Sequence, residues 1–526
     1  MLGVATRSRP VDASMHMRAT TALSLAILGA TGACGGSGPK PAPGPEQRAL
    51  NVVLRPVRGG SDSVTALSVR WELRGRAPNA QRFSIRAPIV YASVTGIADS
   101  LQDLVVRDAK GPVSLRQEDD PVNRGGFPYF RHWRAERDVV PPVIATYRAR
   151  PRATAVSGPQ FSLQAYGGGM STAGSGFFAL PEDSGVVYRT RFHWDLAELG
   201  ENSTAASTFG DGDFELVAPP EQLLQGYYMA GRLGRLPVRG AMHGFTAYWL
   251  GAPPFDTKRE MGWTAQMYTY LRTFFRDTTD EPFRVFVRVL PGQNGYPGTA
   301  LLNSFMLGTP VRSGDSVRSA PRETLTHEMV HHWAVGIDGP QGTVTWFPEG
   351  LATYYARLLP MKAGLDSVAS YLRSVNNTAR SYYTSSARNL PADSIGRAGF
   401  AAPSARNLPY ARGSLYFADL DAQLRAASGG RRTLEDVLFP IFDRVRRGER
   451  VTQNDFVEAL ARELGPSARA QFEAVIVRGE TLVPAANAFG PCLDRKPTTF
   501  TVDGKSIDGY EWVRVSSVPD DRCRAW

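Results

Sequence analysis

The sequence predicts an α+β protein: a β-sandwich-like N-terminal domain, a mixed middle domain and a mostly helical C-terminal part. Three observations carry this reading. From about 47 to 225 apolar residues recur at every second position, as in NVVLRPV, SVTALSVRWELRG and RFSIRAPIVYASV, with Gly, Pro and Asp between the runs. Near 257 the period becomes helical in TKREMGWTAQMYTYLRTFFRD. From 362 to about 482 apolar stripes at helical spacing dominate, as in RTLEDVLFPIFDRVRRG and TQNDFVEALARELG. A chain of 526 residues has room for two or three hydrophobic cores.

Residues 1–34 read as a leader. MHMRATTALSLAILGATGAC (15–34) carries one Arg, an apolar core too short to span a bilayer, then small residues ending at Cys34. Residues 35–46, rich in Gly and Pro, read as a linker. The β-rich domain follows over 47–225. The middle domain, 226–360, holds a helix over 257–276, a strand over 283–291, a Gly/Pro loop over 292–304, and helices over 321–337 and 348–359. Residues 361–485 read as helical. The tail, 486–526, holds Cys492 and Cys523 and is too small to stand as an independent domain without a disulfide.

The formal net charge is +10, but 60 Lys and Arg are set against 50 Asp and Glu and are scattered along the chain. That pattern is a solvated basic surface, and no nucleic-acid partner is expected. The three cysteines leave one over in an exported protein. Cys34, preceded by Thr31-Gly32-Ala33 and followed by Gly35-Gly36, resembles the lipobox cysteine of bacterial lipoproteins, with Thr31 where that pattern favours Leu. The resemblance implies acylation of Cys34, a membrane contact through an N-terminal lipid anchor alone, and a periplasmic or outer-membrane cell-surface location; without acylation the protein is expected to be secreted. It also leaves Cys492 and Cys523 free to pair, as an oxidising compartment permits.

Three of the seven histidines lie within PRETLTHEMVHHWAVGI. Leu325, Met329 and Trp333 form an apolar stripe, while His327 and His331, four apart, stand on one face of the same helix. Two imidazoles at that spacing can bind one Zn²⁺, and Glu328 beside the first can act on a water as general base. His332, rotated about 100° from His331, is expected to face solvent or the cleft wall. A third ligand is available in WFPEGLATYY, where Glu349 follows Pro348 near the start of the next helix. Two His, one Glu and an open fourth position describe catalytic rather than structural zinc. Thr353, one turn after Glu349, is placed to hydrogen-bond a ligand histidine.

HEMVHHW followed by WFPEGLATYYA resembles the gluzincin metallopeptidases. The nearest likeness is to the glycyl aminopeptidase family, and a more distant one is to the aminopeptidase N and leukotriene A4 hydrolase family. YARG (410–413) resembles their Y-x-[KR]-G motif. The resemblance spans roughly 220–485 and implies a thermolysin-like catalytic domain. It makes His327, His331 and Glu349 ligands to a single zinc, Glu328 the base and Tyr410 the oxyanion donor, with a peptide as substrate and aminopeptidase action. Two departures stand out. The stretch GYPGTALLNSFML, at the place of the G-x-M-E-N motif that holds a free amine, carries no acid and only the uncharged Asn303. The residues after 485 are also too few for the PDZ domain common in the glycyl aminopeptidase family. An endopeptidase of the same fold, or a surface binding lipoprotein with a retained zinc site, are the alternatives these departures leave.

Overall fold

The computed structural model describes residues 48–526 apart from 61–62, 76–81, 154–157, 184, 315–317 and 400–401. The leader, the linker and Cys34 lie outside the described residues. The α+β reading holds: strands dominate from Ala49 to Thr309 and helices from Arg322 to Phe472.

The N-terminal domain is layered. A seven-stranded sheet runs in the order Phe214–Ala218, Tyr188–Trp194, Ala49–Arg58, Val64–Arg74, Val143–Ala149, Leu101–Asp108, Gly111–Pro112. Period-two patterning sets which face is buried: Leu50, Val52 and Leu54 of the Ala49–Arg58 strand all point inward. They share one core with Ile85 and Ala87 of a four-stranded sheet and with Met170 and Tyr228 of another. Tyr227–Gly231 pairs with Thr204–Ser207 and Gly169–Ala173, so the β-domain reaches past 225 to 231.

The middle domain is built on a five-stranded sheet ordered Gly234–Leu236, Phe245–Leu250, Phe283–Val289, Ser304–Thr309, Gly298–Leu301. The three central strands are parallel, and Gly298–Leu301 is an antiparallel edge. Helix α1 (Thr257–Phe274) crosses over between the first two parallel strands, capped by the Asp256 carboxylate, which accepts from the Arg259 amide.

Helix α2 (Arg322–Val330) is shorter than the 321–337 periodicity predicts. Its last turn tightens: His332 N–H bonds Met329 O and Trp333 N–H bonds Val330 O, a three-residue pattern, ahead of Gly336 and Gly339-Pro340. The stripe packs as expected, with Leu325, Met329 and Trp333 buried. Helix α3 (Trp346–Lys362) starts two residues earlier and ends three later than predicted. Beyond it lie α4 (Val368–Tyr383), α5 (Ala392–Ala398) and α6 (Pro403–Ser428), followed by further helices to Phe472. The tail folds into a hairpin, Leu493–Val502 with Lys505–Arg514, and a disulfide joins Cys492 to Cys523. Leu493, Phe500 and Trp512 enter the same core as α3 and α4, so the tail is part of the helical unit. Among the described residues no helix is long and apolar enough to cross a membrane.

Candidate metal centre

Helix α2 presents His327 and His331 one turn apart, and α3 brings Glu349 in from its first turn. His327 Nε2 lies 3.2 Å from Glu349 Oε2 and 3.2 Å from His331 Nε2, and His331 Nε2 lies 3.4 Å from Glu349 Oε2. Metal bonds of about 2.0–2.1 Å in a tetrahedron give edges of roughly 3.3 Å between ligand atoms. The three atoms stand at that spacing, and two ring nitrogens facing each other so closely suit a shared cation better than each other. This is the one such group of His, Cys, Asp and Glu among the described residues. Thr353 Oγ1 reaches the other nitrogen of His327, Nδ1, at 3.4 Å.

The electrostatics follow from burial and charge. Burial pushes the Glu349 carboxyl up, but His331 and His327 outweigh it and hold the group well below the usual carboxylate range. Burial opposes charge on His331, and Glu349 more than offsets it, so the imidazole is raised. Glu328 is buried, and burial raises its carboxyl above the ordinary value against the pull of both histidines. Its one backbone bond comes from Ala300 on the sheet's edge strand.

Sequence patterning alone misses what that edge strand does. A Cβ at Gly298 would lie 2.5 Å from both Cγ and Oε1 of Glu328, so only glycine lets the strand pass over the carboxylate. The strand is pinned from the β-domain. Tyr227 Oη donates to Thr299 O at 2.9 Å, and the Gln160 amide donates to Thr299 Oγ1 at 2.9 Å. Gln160 Oε1 in turn accepts from Nε of Arg288 at 2.9 Å, while Nη1 of Arg288 bonds Ser162 O. Arg288 is 2 % exposed, and burial lowers it to about 10. No carboxylate lies on Gly298–Leu301, and Asn303 is turned to Glu281 at 2.9 Å.

Tyr410 comes from α6. Its ring stacks on His327 at 5.6 Å between centroids and its hydroxyl bonds Glu349; burial raises the phenol well above its ordinary value. Two glycines bring it there. A Cβ on Gly350 would meet Gly413 Cα at 2.6 Å, and one on Gly413 would meet Trp346 O at 2.4 Å. The glycines of the two motifs are thus the contact of α3 with α6. The structure gathers His327, Glu328, His331, Glu349, Thr353 and Tyr410 in one place. His332 is different: it packs between Phe283 and Trp333, 3.9 Å from Asp277, instead of facing solvent, and burial lowers it to about 4.

No protein-family model and no curated protein matches the chain at the level of sequence. Solved structures do match, and they are aminopeptidase N-like zinc metallopeptidases in fold. An aminopeptidase N family protein from Idiomarina loihiensis superposes with a TM-score of 0.67 at 14% identity, over 85% of this chain and 79% of that one. An M1 zinc metallopeptidase from Deinococcus radiodurans gives 0.50 at 17% identity, over 84% and 96%. The leukotriene A4 hydrolase of yeast gives 0.51 at 11% identity, over 83% and 68%.

Proposed function

We propose that this chain is an exported zinc-dependent peptidase of the aminopeptidase type, holding one zinc ion per chain and hydrolysing peptide bonds. The observation that carries it is the set of three ligand atoms at tetrahedral-edge spacing with a buried carboxylate, Glu328, and the Tyr410 phenol beside it. His327, His331 and Glu349 hold the metal. When bound, zinc polarises the scissile carbonyl and makes its water acidic. Glu328 accepts a proton from the attacking water and returns it to the leaving amine. The Tyr410 hydroxyl, kept protonated by burial, donates to the oxygen on which charge develops. The exposed edge of Gly298–Leu301 pairs with an extended substrate backbone. Export rests on the leader at 15–34, and anchoring on Cys34.

A second reading, an endopeptidase of the same fold, is favoured by one observation: the edge strand offers no carboxylate to a free amine. A peptide mixture, half of it N-terminally acetylated, separates the two by mass spectrometry. Chelator-sensitive trimming of free-amine peptides alone supports the aminopeptidase; internal cuts in both halves support the endopeptidase. Glu328→Gln decides between enzyme and binding protein. The variant is expected to keep its zinc and lose turnover by about 10²–10⁴. Unchanged turnover sinks the mechanism.

A further inference from the structure

The metal centre uses two carboxylates, Glu349 as ligand and Glu328 as base. Arg406 lies on α6 one turn before Tyr410, so the two side chains share a face roughly 5–6 Å apart at Cβ. Tyr410 turns that face toward the metal ligands, with its ring on His327. Arg406 is partly exposed, and among the described residues its guanidinium has no ion-pair or hydrogen-bond partner. The first turn of α6 carries no acid. Other arginines of the helical part are paired, as Arg357 is with Glu323 at 2.8 Å and Arg425 with Asp421 at 2.7 Å.

Gly158 of the β-domain lies near it: a Cβ there would stand 4.0 Å from Nη1 of Arg406. Two residues on, Gln160 holds the edge strand at Thr299. Arg406 therefore sits where α6 and the segment that fixes the substrate-binding edge come together. The opposite edge, Gly298–Leu301, contributes no carboxylate that could neutralise it.

We propose that Arg406 is a specificity-determining residue that binds a carboxylate of the substrate, so that the cleft selects peptides by an anionic group near the cut. The inference rests on the peptidase reading above. A guanidinium offers a planar fork of N–H donors matched to a carboxylate, and one left without an acid on its own chain gains from a substrate that brings one. The carboxylate comes either from an Asp or Glu side chain flanking the scissile bond or from the C-terminus of a short peptide.

The test uses the zinc-loaded full chain and matched peptides with Asp or Glu, Asn or Gln, or Lys beside the cut, each with a free and an amidated C-terminus. Wild type is expected to favour the carboxylate over its amide isostere by about tenfold to a hundredfold in kcat/KM, in the side-chain arm or in the C-terminal arm. Arg406→Ala should bring that ratio close to one, and Arg406→Glu should turn it in favour of Lys. Zinc content measured on each variant ties the change to recognition. If wild type cuts acid and amide peptides equally, or the preference survives in Arg406→Ala, the inference is overturned while the peptidase reading stands. If wild type cuts nothing, both fall.

Discussion

Tyr410 shows what a single residue contributes at this centre. Its ring lies flat on His327 and its hydroxyl bonds Glu349, so one phenol is both packed and polar. Tyr410→Phe keeps the packing and removes the donor. We expect kcat to fall by about 10²–10³, the usual loss for one oxyanion donor, with zinc content unchanged; a steady-state comparison measures it. His332 has a different consequence. Burial between Phe283 and Trp333 keeps its folded pKa near 4, below its ordinary 6.5. Between those values the unfolded chain binds more protons than the folded one, so stability is lost as pH falls from 6.5 toward 4, by about 3 kcal/mol in all. His332→Gln should flatten that part of a urea-denaturation profile against pH. At this scale the sequence was most legible. His327, Glu328 and His331 stand out by their spacing on one helix and Glu349 by its place at the start of the next, and the structure brings them together. The surroundings of His332 were not legible, since its partners Asp277 and Phe283 lie far upstream, on another element of the fold.

Among elements, the crossing of α3 and α6 places the chemistry. Glu349 and Tyr410 are 61 positions apart along the chain and meet because Gly350 and Gly413 let two helix backbones touch. Gly350→Ala adds one methyl where only 2.6 Å is free, and must push the helices apart. Overpacking of this kind costs about 1–3 kcal/mol. The variant should melt at lower temperature and lose turnover as Tyr410 withdraws from His327, while an alanine at Gly262 of α1, which has no atom within 4 Å of the added carbon, should keep its turnover. Periodicity found the helices but read 292–304 as a loop, where the structure has the edge strand Gly298–Leu301. It misplaced the end of α2, because the apolar stripe runs on through Trp333 although the backbone has already tightened into three-residue bonds. It could not show that the glycine at 298 lies over Glu328, since a glycine in a Gly/Pro-rich loop reads as a turn.

For the whole molecule, the buried guanidinium of Arg288 couples the β-domain to the catalytic sheet. It stands on the Phe283–Val289 strand and binds Gln160 and Ser162 of the β-domain, with no acid of its own among the described residues. Arg288→Met removes the donor and leaves the Gln160 and Ser162 oxygens unsatisfied in the interior. We expect a loss of about 1–3 kcal/mol in a denaturant titration, with a rise in KM as Gln160 loosens its hold on Thr299. Apolar periodicity located the β-domain and the helical part. It could not locate this contact, because Arg288, like Arg284, alternates with apolar residues in FRVFVRV and has the look of an exposed strand residue.

The pinning of Thr299 by Tyr227 and Gln160 has a further consequence for anyone who would rebuild this protein from parts. The line where the chain changes from sheet to helix is not the line where its chemistry divides. The edge strand proposed to receive the substrate belongs to one module and is held by the other. A graft of the segment bearing His327, His331 and Glu349 onto a foreign N-terminal module would carry all three candidate ligands with it and still leave the edge strand without its support. Productive exchange between relatives would have to trade residues 158–162 and Tyr227 together with the edge strand they hold.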